Sequence, residues 1–172
     1  MRPRNAMFAA VLVAVLTLAL PSVSANAAPA RSVQAQIDQQ LAKYPGGRQI
    51  NATEVAYANG AFVITFARPD VSINGVADCP SGWFCFYDHT NYGYPRGKLS
   101  DCGWQDLAGY GWQDRIESVH YNMSSGSVTY IEHSGPPDHS GDYGLFNVGV
   151  SNRFMSDVYP YRNMANHVYR FC

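Results

Sequence analysis

The sequence lacks the features that mark several common functional classes. Twelve Lys and Arg residues stand against thirteen Asp and Glu, a formal net charge of −1, so no basic excess indicates a nucleic-acid partner. The chain has no His-Glu-x-x-His motif and no nucleophile elbow, so its five histidines do not form a catalytic motif. We therefore expect a protein that is not an enzyme.

The sequence has a single long apolar run, at its N-terminus. Arg2 and Arg4 precede an uncharged run over residues 6–20, and small residues follow up to residue 30. This pattern is typical of a secretory signal peptide, for which we take residues 1–27. The mature chain then carries ten basic and thirteen acidic residues, a formal charge of −3. We expect it to be secreted, extracellular, free of the membrane and monomeric.

Helical patterns and charged residues are scarce in the rest of the chain. Charged residues make up 15% of the sequence, whereas there are twelve tyrosines and fifteen glycines. Aromatic residues suit pleated surfaces and glycine suits tight turns, so this composition favours an all-β fold. Short strand-like segments separated by loops from Cys79 onward indicate a β-sandwich or barrel.

A helix and a hairpin are predicted near the start of the mature chain. Apolar residues recur at helical spacing across residues 32–44, where Pro-Gly-Gly follows. The next segment, TEVAYANGAFVITF, alternates apolar residues around Asn-Gly, the favoured pair for a two-residue hairpin turn. Such a unit buries too little apolar surface to be stable alone. We assign residues 28–73 to a docked extension or a removable pro-segment, and residues 74–172 to the main domain.

Cysteines are few, and all four follow the signal peptide: Cys79, Cys85, Cys102 and Cys172. An even number in an oxidising compartment predicts two disulfides, with three possible pairings. We favour Cys79 with Cys85, because the intervening Pro-Ser-Gly turns back, and Cys102 with Cys172, which would tie down the C-terminus. The chain-entropy contributions are roughly 2.4 and 4.4 kcal/mol, but entropy alone does not choose a pairing. Neither zinc-ligand nor redox spacing is present.

The segment FCFYDHTNYGYPRGKL, followed by WQDRIESVHYN, resembles the first Greek-key motif of the βγ-crystallin fold. The resemblance implies that Tyr87 and Tyr92 form an aromatic corner over a hairpin, which Ser118 closes. A second, degenerate copy runs from residue 128 to the end, with Ile131 in the place of the corner aromatic and His167 in the place of the serine. We therefore expect an all-β, βγ-crystallin-like Greek-key sandwich, preceded by the helix and hairpin.

More narrowly, CPSGWFCFYDHTNYGY after a signal peptide and the leader LAKYPGG to FVITF resembles the Streptomyces metalloproteinase inhibitor family. That resemblance implies a secreted inhibitor of thermolysin-like zinc metalloproteases, with an extracellular protease as its partner. In the founding type the inhibitory bond lies in a loop next to a disulfide. This chain has no cysteine between Cys102 and Cys172, so no reactive bond carries over to it.

Inhibition requires a rigid exposed loop that offers extended backbone to the protease. The segment SNRFMSDVYPYRNM is one of three candidate surfaces, and it offers four apolar anchors for a protease pocket: Phe154, Met155, Val158 and Tyr159. The other two are YGYPRGKLSDC and HSGPPDHSGDYG. An extracellular calcium- or glycan-binding module without inhibitory activity is the alternative function.

Calcium is the usual ligand of the crystallin fold, and its site needs hard oxygen ligands from both motifs. Both motifs are degraded here, and the remaining candidates are Asp114, Glu117, Asn163 and Asn166. We expect no cofactor, with calcium as a weak candidate.

The segment PPDHSGD contains further ligand types, but we expect a solvated acidic loop there rather than a metal site. Its three candidate ligands are Asp138, His139 and Asp142. Tryptophans in a small β-domain are more often core or corner residues than sugar-binding platforms. We therefore expect structural roles for Trp83, Trp104 and Trp112.

Overall fold

The computed structural model describes residues 32–66, 75–134 and 139–172. The predicted signal peptide and the predicted domain boundary near residue 73 lie outside these described residues. Within them the chain has one α-helix and eleven β-strands in two antiparallel sheets. The helix in this described part is shorter and more polar than a bilayer-spanning segment.

The N-terminal segment forms the predicted helix and hairpin. Helix α1 spans Val33–Lys43, and the Ser32 hydroxyl accepts a hydrogen bond from the backbone N–H of Ala35 at 3.2 Å, a standard N-cap. Three strands follow: β1 (Arg48–Gln49), β2 (Glu54–Tyr57) and β3 (Phe62–Thr65). The hairpin connection between β2 and β3 is longer than the predicted two-residue turn. A short 3₁₀ turn at Ala58–Gly60 forms it, in which Asn59 has a φ of 54°.

This N-terminal hairpin is part of the larger sheet. Strand β3 pairs antiparallel with β5 (Gly93–Leu99), so that Phe62 lies opposite Leu99 and Thr65 opposite Arg96. Ile37 of α1 and Phe62 are fully buried in the common core. In this structure residues 32–66 are therefore docked on the domain through both backbone hydrogen bonds and apolar packing.

The remaining strands divide between two sheets. They are β4 (Trp83–His89), β6 (Gly103–Asp106), β7 (Ser118–Asn122), β8 (Ser127–Glu132), β9 (Tyr143–Gly149), β10 (Phe154–Met155) and β11 (His167–Phe171). The first sheet has the order β1-β2-β3-β5-β4-β7-β10, and the second has the order β6-β11-β8-β9. Strand β6 joins the second sheet and β10 joins the first, so each half of the chain contributes one strand to the sheet of the other half.

The inner faces of the two sheets share one apolar core. Phe86 of the first sheet contacts Tyr130 of the second, with ring centroids 6.5 Å apart, and Trp112 packs edge-on against Phe86 at 5.0 Å. All three side chains are fully buried. The all-β sandwich is thus confirmed, whereas the crystallin-like Greek-key assignment stays a prediction.

The same backbone hydrogen bond occurs in both halves, at positions that the sequence analysis identified as equivalent. The N–H of Glu117 donates to the carbonyl of Tyr87 at 2.9 Å, and the N–H of Asn166 donates to the carbonyl of Ile131 at 3.1 Å. Ser118 lies opposite Tyr87 across β7 and β4, as His167 lies opposite Ile131 across β11 and β8. The two halves therefore share a backbone framework although their side chains differ.

Two disulfides are present, as predicted, and no cysteine is free. Cys79 is joined to Cys85, and Cys102 is joined to Cys172. This is the pairing that the sequence favoured. The second bond links the start of β6 to the end of β11, two neighbouring strands of the second sheet.

Candidate inhibitory loop and histidine cleft

The corner of the first half brings Tyr87, Tyr92 and Ser118 together. The rings of Tyr87 and Tyr92 meet edge to face with centroids 5.4 Å apart. The hydroxyl of Ser118 donates to the carbonyl of His89 at 2.7 Å and accepts from the N–H of Tyr92 at 3.0 Å. Because Ser118 is fully buried, these bonds satisfy turn groups that strand pairing leaves without a partner.

A charged network that the sequence analysis did not predict supports this corner. The hydroxyl of Tyr87 donates to Asp78 Oδ1 at 2.9 Å, and Asp78 Oδ2 lies 3.2 Å from Nη1 of Arg96. The same guanidinium reaches Thr65 of the N-terminal hairpin at 3.0 Å. Burial, together with the nearby Asp78 carboxylate, raises the pKa of Tyr87. These contacts identify the corner as a structural element.

The candidate loop, residues 154–162, begins at the edge of the first sheet. Phe154 lies in the edge strand β10 and is 53% exposed, and Tyr159 is 76% exposed. The ring of Phe154 stacks on His120 at a centroid distance of 4.4 Å, which holds it in place while it remains accessible. Met155 is half-buried. Two of the four predicted anchors are therefore displayed to solvent.

Val158 was predicted to be an exposed anchor, and the structure corrects this prediction. Its side chain is fully buried in the core, and its backbone N–H donates to the carbonyl of Glu117 at 3.0 Å. The N–H of Asn91 also donates to the carbonyl of Ser156 at 2.7 Å. Val158 therefore fixes the loop to the domain, because an apolar side chain at this position gains more from burial than from exposure.

Polar contacts within the loop restrict its conformation further. Asp157 accepts hydrogen bonds from the N–H of Tyr159 at 2.9 Å and from Nε of Arg162 at 2.7 Å. The hydrogen bond with Arg162 lowers the pKa of Asp157 to about 2. The Arg162 guanidinium also lies 5.9 Å from the centroid of the Tyr159 ring. These contacts order the segment that displays Tyr159.

The four calcium candidates lie in different surroundings. Glu117 accepts from the side-chain amide of Asn163 at 2.9 Å, so these two are in contact. Asp114 is exposed, and its N–H donates to the carbonyl of Ala165 at 3.0 Å. Asn166 is buried beside His133, and its Oδ1 accepts a hydrogen bond from the backbone N–H of His133 at 2.6 Å. Calcium binding by these residues stays a prediction.

A cleft of about 560 Å³ opens on the second sheet, where the degenerate second motif lies. It is lined by Trp104, Asp106, Ala108, Gln113, His133, His139, Asn166 and His167. Trp104 is 44% exposed and stacks on the ring of His139 with centroids 4.4 Å apart. Trp104 thus packs on its neighbours and forms a wall of the cleft, whereas Trp112 is a core residue.

Three histidines and one carboxylate converge at this cleft. Asp142 contacts Nδ1 of His133 through Oδ1 and Nδ1 of His139 through Oδ2, the second at 3.0 Å. The ring of His167 lies 5.1 Å from that of His133 and 5.5 Å from that of His139, between centroids. Burial raises the pKa of Asp142, but the hydrogen bonds with the two histidines outweigh it and the net pKa shift is downward. Burial lowers the pKa of His167.

The sequence analysis did not predict this cluster. It assigned His139 and Asp142 to a solvated acidic loop and left His133 and His167 on separate strands. The expectation of a solvated loop is corrected, since Asp142 is engaged by two imidazoles; Asp138 lies outside the described residues. The close spacing of His133 and His139 around Gly-Pro-Pro was the available signal.

The fold and these surfaces define a small, disulfide-linked β-sandwich with a tethered surface loop and a separate polar cleft. Residues 73–135 match the model of peptidase inhibitor family I36, which confirms the family resemblance seen in the sequence. The match ends before the candidate loop. No curated protein and no solved structure matches the chain significantly. The family match over residues 73–135 supports a protease inhibitor.

Proposed function

We propose that the protein is a secreted inhibitor of thermolysin-like zinc metalloproteases and that residues 154–162 form its protease-binding loop. The observation that carries this proposal is the display of Phe154 and Tyr159 from a loop whose middle residue, Val158, is anchored in the core. The two disulfides and the family match are compatible with an extracellular site of action.

The physical basis is preorganisation. A flexible loop loses conformational entropy when a protease binds it, whereas a loop already ordered in the free inhibitor loses less. Here the backbone contacts of Ser156 and Val158 and the side chain of Asp157 order the loop from within. Exposed aromatic residues are the side chains that contribute most to protein interfaces. The loop therefore combines rigidity with two accessible anchors.

The test is a titration of a thermolysin-like enzyme and a subtilisin-like enzyme with the purified protein, disulfides intact, measuring residual activity. We expect stoichiometric inhibition of the metalloprotease. Tyr159→Ala and Phe154→Ala should each weaken inhibition roughly 30-fold, which corresponds to about 2 kcal/mol for an interface anchor. Mass analysis of the recovered inhibitor would show whether slow cleavage occurs within residues 154–162.

Phe171→Ala is the matched control. Phe171 is 52% exposed, against 53% for Phe154, but it lies on β11 of the second sheet. Its replacement should leave inhibition unchanged. Full activity of both enzymes at large molar excess would refute inhibition of these two protease types. Equal losses for Phe154→Ala and Phe171→Ala would instead refute the loop as the contact surface.

An extracellular calcium- or glycan-binding role is the second candidate, and the exposed ring of Trp104 beside the cleft is the observation that favours its glycan form. Aromatic faces of this kind suit stacking against apolar ligand surfaces. Pull-down with chitin or peptidoglycan, compared between the parent protein and Trp104→Ala, tests it. Calcium-dependent melting tests the calcium form.

A further inference from the structure

The histidine cleft contains a donor set that inhibition through residues 154–162 does not use. His133 follows β8, and His139 and Asp142 precede β9, so the two ends of one connection meet at a single point. One ligand atom from each of these three residues lies within 4.8 Å of the others. The side chains of His133, His139 and Asp142 are 23%, 38% and 8% exposed, so they are partly desolvated, and the two histidines line the cleft.

The geometry points to a binding site for a divalent transition-metal ion, with Zn²⁺ as the best fit, held by His133, His139 and Asp142. Two imidazoles and one carboxylate form a donor set that suits zinc, whereas calcium prefers oxygen ligands alone. A fourth coordination position would face the cleft, where water or a ligand atom has access. Both oxygens of Asp142 already face an imidazole nitrogen, so small movements suffice to place an ion among the three side chains.

Neighbouring residues hold these side chains in position. The indole of Trp104 stacks on the His139 ring at 4.4 Å, which limits its rotation. Asn166 accepts from the backbone N–H of His133 at 2.6 Å and lies 3.0 Å from Nδ1 of His167. Such outer contacts orient metal ligands in established sites. His167 closes one side of the cluster without being one of the three proposed ligands.

Two observations favour a metal site over a purely structural His–Asp contact. One carboxylate is shared by two imidazoles, so two ring nitrogens and two carboxylate oxygens converge on one point. A third imidazole, that of His167, lies within 5.5 Å of both rings, measured between centroids, so a further nitrogen donor adjoins the three side chains. All four cysteines are in disulfides, so no thiolate competes for the ion.

The experiment titrates the full mature protein, disulfides intact, with Zn²⁺ by calorimetry, and with Co²⁺ followed by visible absorption. We expect one ion per chain. His139→Gln and Asp142→Asn should each weaken zinc binding by at least about 10-fold. His89→Gln is the control, because His89 is exposed and lies on the first sheet; it should bind zinc as the parent does.

A second measurement on the unmodified protein does not depend on how the variants fold. Zinc should shift the ring ¹⁵N resonances of His133 and His139 and leave those of His89 unchanged. Absence of binding at millimolar zinc, equal affinity in His139→Gln and the parent, or shifts confined to other histidines would each overturn the site. His139→Gln should still inhibit the protease, so failure of the metal site and failure of the inhibitory loop are distinguishable.

Discussion

The two halves of the domain place different residues at equivalent backbone positions. In the first half, Ser118 is buried and bonds two backbone groups of the Tyr87–Tyr92 corner, whose two rings pack edge to face. In the second half, His167 occupies that position opposite Ile131, and the corner is replaced by an open cleft with two further histidines. The same framework thus provides stability in one half and a polar surface in the other.

The two sheets also differ in whether equivalent strands lie at an edge. Strand β5 is covered by β3 of the N-terminal segment, whereas its counterpart β9 ends the second sheet. Arg96 of β5 extends this difference, because its buried guanidinium contacts Asp78 and Thr65. The side chains of Ser118 and Arg96 therefore close the first half around backbone groups and the N-terminal segment, whereas the polar side chains of the second half line an open cleft.

Deletion of the N-terminal segment, which pairs with β5, should produce the largest loss of stability. A chain that begins at residue 74 loses the pairing partner of β5 and four fully or almost fully buried apolar residues: Ile37, Val55, Phe62 and Ile64. At about 1.5 kcal/mol or more each, this loss exceeds about 6 kcal/mol, comparable with the whole stability of a small domain. We expect no cooperative urea transition. A chain that begins at residue 28 is the control, and equal midpoints would identify residues 28–73 as a dispensable pro-segment.

Removal of each disulfide should produce the next largest effects on the free energy of unfolding. Replacing both Cys102 and Cys172 with alanine should lower the free energy of unfolding by about 4 kcal/mol, since the closed loop is long, whereas the same change at Cys79 and Cys85 should lower it by about 2 kcal/mol. Urea denaturation of both double variants measures the two losses. The reverse order would show that packing around the first disulfide outweighs chain entropy.

Substitutions at the equivalent positions 118 and 167 compare the structural roles of the two halves directly. Ser118→Ala should destabilise the protein by about 2 kcal/mol, because two backbone groups of the corner lose the buried hydroxyl as their partner. His167→Ala should cost less than half as much, since its ring faces the open cleft. Thermal and urea unfolding of both variants test this. Similar losses at the two positions would contradict the view that the first corner is the structural one.

The buried histidine of the first half should produce the smallest effect, through pH. His120 is 6% exposed, and its Nδ1 accepts the N–H of Cys79 at 3.3 Å. Burial lowers its pKa below the value of about 6.5 for a free histidine. The stability from neutral His120 is therefore present above that value and is lost as the pH falls through the lowered pKa.

Between about pH 7 and pH 5, the free energy of unfolding should thus fall more in the parent than in His120→Asn, which retains an acceptor but does not titrate. Carboxylates titrate in both proteins and cancel in the difference. Parallel pH profiles of the two proteins would contradict a buried neutral His120.

Local sequence patterns were sufficient to predict the elements that are determined by nearby residues. The helix predicted over residues 32–44 is found at Val33–Lys43, since apolar spacing and a cap are properties of adjacent turns. The hairpin followed from alternation around Asn-Gly, although its turn is longer than predicted because a 3₁₀ turn forms at Ala58–Gly60. Val158 shows the limit of this reasoning, because apolar character does not say whether a loop residue points inward.

Composition, cysteine count and short motifs are properties of the chain, so the all-β class, the two disulfides and the family resemblance were predictable before the fold was known. The docking of residues 32–66 on the first sheet and the meeting of His133, His139 and His167 at one cleft were not predictable in this way. Residues 32–66 reach the first sheet through pairing of β3 with β5, and His167 comes close to His133 through pairing of β11 with β8; in both pairs the partner residues are more than thirty positions apart. A periodic pattern reports which face of a strand is apolar, but pairing between distant strands is decided by the packing of the whole core.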